Sequence, residues 1–209
     1  MTRYIAIPSI HGELKKLNSL LSKIRTRPDD VFIFLGNYID RGPNSKGVVD
    51  RVIELSKHYQ CVFLIGASEY TMLNAKSDAY YKWIFENYGG YSTIRSYGSY
   101  ENIMKIHGDF YRNLNLYCFT QDYFFVHAGI NPNYSLDDQQ ECDLLYISWN
   151  FIDSVHRLPQ KIIYAHTDFD YPYVLPEKIG IDLGCGIFPH SPLCALIING
   201  TREEFVYSN

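Results

Sequence analysis

The stretch "VFIFLGNYIDRG" runs from Val31 to Gly42 and joins an unbroken apolar run to a polar loop bracketed by glycines. An apolar run without alternation, "VFIFLG" (31–36), is the mark of a strand buried on both faces in the middle of a parallel sheet. The loop that follows presents an amide, a carboxylate and a guanidinium at Asn37, Asp40 and Arg41. Open α/β sheets gather their ligands outside the carboxyl ends of such strands, so this loop is the first candidate for a site.

The same grammar continues on both sides. "RYIAIP" (3–8) reads as a buried strand, and Leu14, Leu17, Leu20, Leu21 and Ile24 follow at helical spacing. Beyond the loop, Val48, Val49, Val52, Ile53 and Leu55 predict a second helix and "CVFLIG" (61–66) a third strand. Residues from about 70 to 113 are helical in pattern and rich in aromatics, a cap beside the sheet. From Leu116 the pattern turns to strands: "LYCF", a "TQD" turn, "YFFVHAG", then "KIIYAH" (161–166), "KIGIDLG" (178–184), "LCALIING" (193–200) and "EEFVYS" (203–208). The last two, joined by "NGT", predict a β-hairpin. The expectation is an α/β fold of two packed mixed β-sheets flanked by helices, in a single domain over residues 1–209.

Composition narrows the function classes. With 46% hydrophobic residues among 209, the chain can bury a sizeable core. A net charge of −4 without a Lys/Arg cluster argues against a nucleic-acid partner. Five cysteines (61, 118, 142, 185 and 194) without a CxxC pair fit reduced thiols in the cytoplasm. "MTRYIAIPS" has no long apolar core of a signal peptide, and no run approaches a membrane span, so no membrane partner is expected.

Polar residues then recur at strand ends: His11 in "SIHG", the 36–42 loop, "GASE" at 66–69, His127 in "VHAG" and His166 in "YAHT". One such histidine is most often a buried side chain bonded to backbone. Three at separate strand ends point to a site.

These blocks resemble the signatures GDxHG, GDxVDRG, GNHE, VHAG and GHT of the phosphoprotein phosphatase (PPP) family, within the calcineurin-like metallophosphoesterase superfamily. The likeness is to the bacterial and phage-type branch of serine/threonine phosphatases and diadenosine-tetraphosphate hydrolases. "PSIHG", "GNYIDRG", "GASE", "VHAG" and "AHT" stand in the same order, and "ENYGGYSTIRSYG", "DLLYIS" and "IGIDLGC" extend the resemblance over nearly the whole chain.

The resemblance implies a dinuclear metal site, and the positions that would hold it read Ser9, His11, Asn37, Ala67, His127 and His166. The three histidines are kept; the two carboxylates and one asparagine of the family set are not. Asn37 can still offer a neutral carbonyl oxygen. The family's general-acid histidine is Ser68 here, although the aspartate that would orient it, Asp40, remains. Of two phosphate-gripping arginines, Arg41 is present and the other is Ser148. A two-metal clamp needs anionic ligands to offset the repulsion between ions ~3.5–4 Å apart, so a Mn²⁺ or Mg²⁺ pair is not expected. His11, His127 and His166 are the ligand types of a mononuclear Zn²⁺ site if they converge on one point. Weak binding of one Zn²⁺ or Ni²⁺ ion, and histidines simply held by backbone and water, both remain open.

The expectation is a pseudophosphatase: a catalytically impaired homologue requiring no cofactor, which binds a phosphorylated small molecule or phosphoprotein through the old cleft with Arg41. The alternative is an active phosphatase with a rearranged or single-metal site. Glu69 reads as a structural residue at a helix start, and the run Tyr80, Tyr81, Trp83, Phe85, Tyr88 and Tyr91 as core and cap packing. Cys185 has no base near it in sequence and does not read as a nucleophile.

Overall fold

The computed structural model describes residues 2–156 and 158–209. Its apolar runs lack alternation because three hydrophobic layers, not one, receive their side chains. Along β1 (Arg3–Ile7), Ile5 and Ile7 enter one cluster and Ala6 another. Along β2 (Asp30–Phe34), Phe32 and Phe34 share the first cluster, while Val31 and Ile33 share the second. The second cluster also takes Phe125 from β5 (Tyr123–Val126), Ile163 from β6 (Lys161–Tyr164) and Ile179 from β8 (Lys178–Gly180). It is the seam between two sheets.

The first sheet has the order β10-β9-β1-β2-β3, with β3 at Gln60–Phe63, β9 at Cys194–Asn199 and β10 at Arg202–Tyr207. β1, β2 and β3 are parallel, and the β9–β10 hairpin adds antiparallel to β1. The second sheet runs β4-β5-β6-β8-β7, with β4 at Tyr117–Phe119 and β7 at Tyr173–Val174. Here β5, β6 and β8 are parallel, and β4 and β7 close the edges antiparallel. Two mixed sheets with helices outside is the architecture the sequence pattern predicts.

The outer face of the first sheet is covered by α1 (Leu14–Lys23), α2 (Ser45–Ser56) and four helices between β3 and β4. These four are α3 (Ala67–Asn74), α4 (Ala79–Asn87), α5 (Gly90–Tyr97) and α6 (Tyr100–Arg112). They share one cluster with α1 and α2 through Met72, Phe85, Tyr97, Ile103 and Tyr111. The second sheet's outer face is covered by the short α7 (Glu141–Leu145) and α8 (Trp149–Asp153) through Leu144, Phe151 and Ile152. The sequence pattern does not disclose α7, α8 or β7: at five, five and two residues they are too short to show a period.

Three buried charged side chains lock this frame. Lys178, fully buried in β8, donates from Nζ to the carbonyls of Phe151 and Ser154 (2.5 and 2.6 Å) and so closes the C-terminal end of α8. At the start of β1 and β2, the registered pair Arg3 and Asp30 is joined by Nε to Oδ1 at 2.7 Å and Nη2 to Oδ2 at 2.5 Å. Asp30 also accepts from the Arg27 N–H (2.7 Å). Asp30→Ala strands the Arg3 guanidinium, only 7% exposed, and should lower the unfolding free energy by about 3–5 kcal/mol in urea denaturation. A loss under about 1 kcal/mol would show that water reaches this pair.

Candidate functional site

Six parallel strands, three from each sheet, end on one side of the sandwich, and the loops that leave them carry strained backbone. Among the described residues the positive-φ positions that are not glycine are His11 (48°), Asn37 (53°), Asp40 (73°), Arg41 (61°) and His166 (55°). All five belong to the strand-end blocks. Left-handed backbone at a non-glycine residue costs about 1–2 kcal/mol, and it persists only where the surroundings over-determine it.

What holds it is Glu69. This carboxylate, fully buried in the first turn of α3, accepts from four backbone N–H groups: Asn37 (2.8 Å), Tyr38 (2.8 Å), Ile39 (3.3 Å) and Gly66 (3.0 Å). It caps its own helix and pins the loop after β2 in the same act. Burial and the nearby Asp40 push its pKa up to about 7, against the pull of the N–H donors. The loops also need glycine where they touch. A Cβ on Gly66 would stand 2.4 Å from the Asn37 nitrogen, and one on Gly42 2.1 Å from the His11 carbonyl oxygen.

The hydrogen bonds fix the histidine tautomers. His127 Nδ1 lies 2.5 Å from the Leu35 carbonyl and must donate to it, which leaves Nε2 as an acceptor. That Nε2 is 3.0 Å from His166 Nδ1, which therefore carries the proton between them. His11 Nδ1 donates to the Ile39 carbonyl (3.0 Å). Burial holds His127 well below the ordinary imidazole range, His11 down to about 3 and His166 down to about 4; Arg41 adds to the shift of the last two. All three rings are neutral at pH 7.

A neutral network occupies the place between them. The Ser68 N–H donates to Asn37 Oδ1 (2.9 Å), which turns the Asn37 amide nitrogen toward Ser9 Oγ (3.4 Å). Asp182 accepts from the N–H groups of His166 (3.0 Å) and Gly184 (3.2 Å), and the nearby Ser9 hydroxyl works with them against the rise that burial imposes on its carboxyl. Burial raises Asp182 to about 7. Asp40, raised by burial to about 6 against the pull of the Thr93 and Ser68 hydroxyls, accepts from Thr93 Oγ1 (2.7 Å).

These residues line a cleft of about 310 Å³, whose polar floor includes Ser9, His11, Asn37, Asp40, Ser68 and His166. Arg41 and Ala67 line it too, and Ile84, Phe85, Tyr88 and Tyr146 form an apolar side. His127 is fully buried behind His166. Ser148 lies apart from the lining as the N-cap of α8, its carbonyl accepting from the N–H groups of Phe151 and Ile152. Besides Asp168, the sequence reading passes over the cleft residue Asp182. Its signal, a carboxylate ending the short strand "KIGID" before a glycine, is the one that marks the other blocks. The aromatic run is also not core as a whole: Phe85 is 3% exposed, but Tyr80, Trp83, Tyr88 and Tyr91 are 53–71% exposed, because α4 and the start of α5 each bury one face only. Cys185 is buried with its thiol pushed up to about 12, and is no nucleophile.

The donor set does not fit a pair of divalent ions. His127, with Nδ1 spent on Leu35, gives its remaining lone pair to His166, while Ser9 and Asn37 satisfy one another without charge. Among the described residues no group of three or more His, Cys, Asp or Glu side chains is placed to hold a metal ion. The loops are instead held from beneath by Glu69. Glu69→Gln would turn an amide NH₂ toward backbone donors and should cost about 2–4 kcal/mol of stability, read by chemical denaturation. A change below about 1 kcal/mol would mean that the loop is fixed by other contacts.

Comparison with known proteins agrees with this fold. A family model described as calcineurin-like phosphoesterase matches residues 3–188. The serine/threonine-protein phosphatase PP2A-like PPG1 of Saccharomyces cerevisiae is 26% identical over 140 residues, 66% of this chain but 36% of that protein. The match thus spans about a third of the curated relative's length. Among solved structures, that of a candidate diadenosine tetraphosphatase superposes with a TM-score of 0.71 at 17% identity, covering 98% of this chain and 93% of the other. The cold-active protein-tyrosine phosphatase of a psychrophilic Shewanella species gives 0.68 at 13% identity, over 99% and 78% of the two chains. Identities this low speak for the fold alone. The two sheets, the strand-end blocks and the match over residues 3–188 together place the chain in the calcineurin-like metallophosphoesterase family.

Proposed function

We propose that this chain is a catalytically impaired metallophosphoesterase homologue that binds a phosphorylated ligand through the cleft without turning it over. The observation that carries the reading is the set of hydrogen bonds that Ser9, Asn37, His127 and His166 make with one another, neutral groups engaged where two metals would require charged oxygen donors. Without that ion pair, no group here lowers the pKa of a water enough to supply hydroxide at neutral pH. Ser68, though near Asp40, cannot donate a proton as an imidazolium does, and a missing general acid typically forfeits about 10²–10⁴ in rate. Arg41 keeps its place at the mouth as a guanidinium for a phosphoryl oxygen. The ligand is a phosphorylated small molecule or a phosphoprotein. Free cysteines throughout the chain fit a reducing, cytoplasmic setting, and among the described residues no helix is long and apolar enough to cross a membrane.

A second reading, an active phosphatase with a single metal, draws support from the unspent Nε2 atoms of His11 and His166 and from the Asp182 carboxyl in the same cleft. Turnover of an aryl phosphate and of phosphopeptides across Mn²⁺, Zn²⁺, Ni²⁺ and Co²⁺ separates the two. Our reading expects none above background and well under one equivalent of metal in protein purified without chelator. Saturable, metal-dependent turnover abolished by His127→Ala would overturn it. Ser9→Asp alone should leave the protein inactive, since Asn37, Ala67 and Ser68 remain; hydrolysis by that variant would mean that far less of the site is missing.

A further inference from the structure

The floor of the cleft is a poor seat for a dianion. Its lining sets the carboxyl groups of Asp40, Asp168 and Asp182 against a single guanidinium, that of Arg41. On the other side of Arg41 a second groove, of about 460 Å³, reverses the balance: Arg41 and Arg95 face one carboxylate, Glu13, beside Tyr91 and Ser92. Among the described residues neither arginine takes part in an ion pair. Both are exposed.

The juxtaposition is built by the backbone. Arg41, at φ 61°, donates its N–H to the Gly89 carbonyl (3.2 Å), which ties the loop after β2 to the start of α5. Gly89 is at φ 120°, and a Cβ there would stand 2.9 Å from the Arg41 nitrogen, so the approach depends on glycine. Tyr91 and Arg95, four residues apart on α5, share a helix face and line the same groove. Because Arg41 lines both spaces, a group held by the two arginines lies at the mouth of the central cleft.

We propose that the phosphoryl group of the ligand is held between Arg41 and Arg95, with the α5 arginine supplying the second guanidinium that position 148 lacks. The organic part of an apolar phosphate monoester then lies in the cleft against Ile84, Phe85, Tyr88 and Tyr146. This placement rests on the proposed binding function and adds to it a position and a class of ligand. Two planar forks on a phosphate oxygen set give the charge-assisted contacts that such groups favour, and the carboxyl-lined floor offers the phosphate no second guanidinium.

Calorimetric titration with phenyl phosphate and with inorganic phosphate tests the placement, on the wild type and on variants checked for an unchanged melting temperature. Phenyl phosphate should bind more tightly than inorganic phosphate. Arg41→Ala and Arg95→Ala should each weaken it by at least about tenfold, and Arg95→Lys should recover part of the loss. Asp168→Asn, a change on the cleft side, should alter affinity by less than about threefold. If Arg41→Ala weakens binding while Arg95→Ala does not, or if Asp168→Asn tightens it tenfold, the phosphoryl group sits on the cleft floor. The placement then falls while the binding function stands. Absence of phenyl phosphate binding to the wild type overturns the binding function itself, and the placement with it.

Discussion

One buried carboxylate sets the geometry on which the rest depends. Glu69 takes four N–H donors from two loops that leave neighbouring parallel strands. Those donors point inward because Asn37 and its neighbours turn through left-handed backbone, and the turn is tolerable because the carboxylate satisfies groups that would otherwise be buried without partners. Everything at the cleft mouth follows from that registration: the direction of the Asn37 amide, the approach of Asp40 to Thr93, and the placement of Arg41 against α5.

In a two-metal centre the ions themselves cross-link the strand ends, since each draws side chains from several loops. Here the same cross-linking is carried by protein groups alone. Ser9 bridges β1 to β2 through the Asn37 amide, Asn37 bridges β2 to α3 through the Ser68 N–H, the paired imidazoles bridge β5 to β6, and Asp182 ties the β8 end to the His166 N–H. The serine and asparagine that look like losses as metal ligands are thus partners as hydrogen-bonding groups. That a polar cavity of this kind closes without stranded charges is what a stable fold requires.

The layered fold is legible in the sequence because its signals are local and redundant. The runs 31–36, 61–66 and 161–166 are apolar on both parities, which only strands with two buried faces demand, and glycine and histidine punctuate their ends. The candidate site is legible in part. The blocks around His11, Asn37, Asp40, His127 and His166 do meet, at or directly behind one cleft, as their places at strand ends imply. Three things are not visible in the chain. Asp182 lies two residues beyond a strand of only three, and its role depends on which N–H groups surround it. The reach of Glu69 across to the loop after β2 is a tertiary fact, since a glutamate in a first helical turn ordinarily reports only its own cap. The exposure of Tyr80, Trp83, Tyr88 and Tyr91 turns on which faces of α4 and α5 pack, and an aromatic run at mixed spacing does not say.

The five left-handed residues have a consequence for how a ligand arrives. Loops locked in that conformation by Glu69 and by backbone bonds have already surrendered their freedom when the chain folds, so an incoming molecule need not order them. Association should therefore proceed by nearly rigid docking, with a small heat-capacity change and little loss of loop entropy. Its rate should depend on ionic strength through two exposed guanidinium groups, not on the opening of a lid.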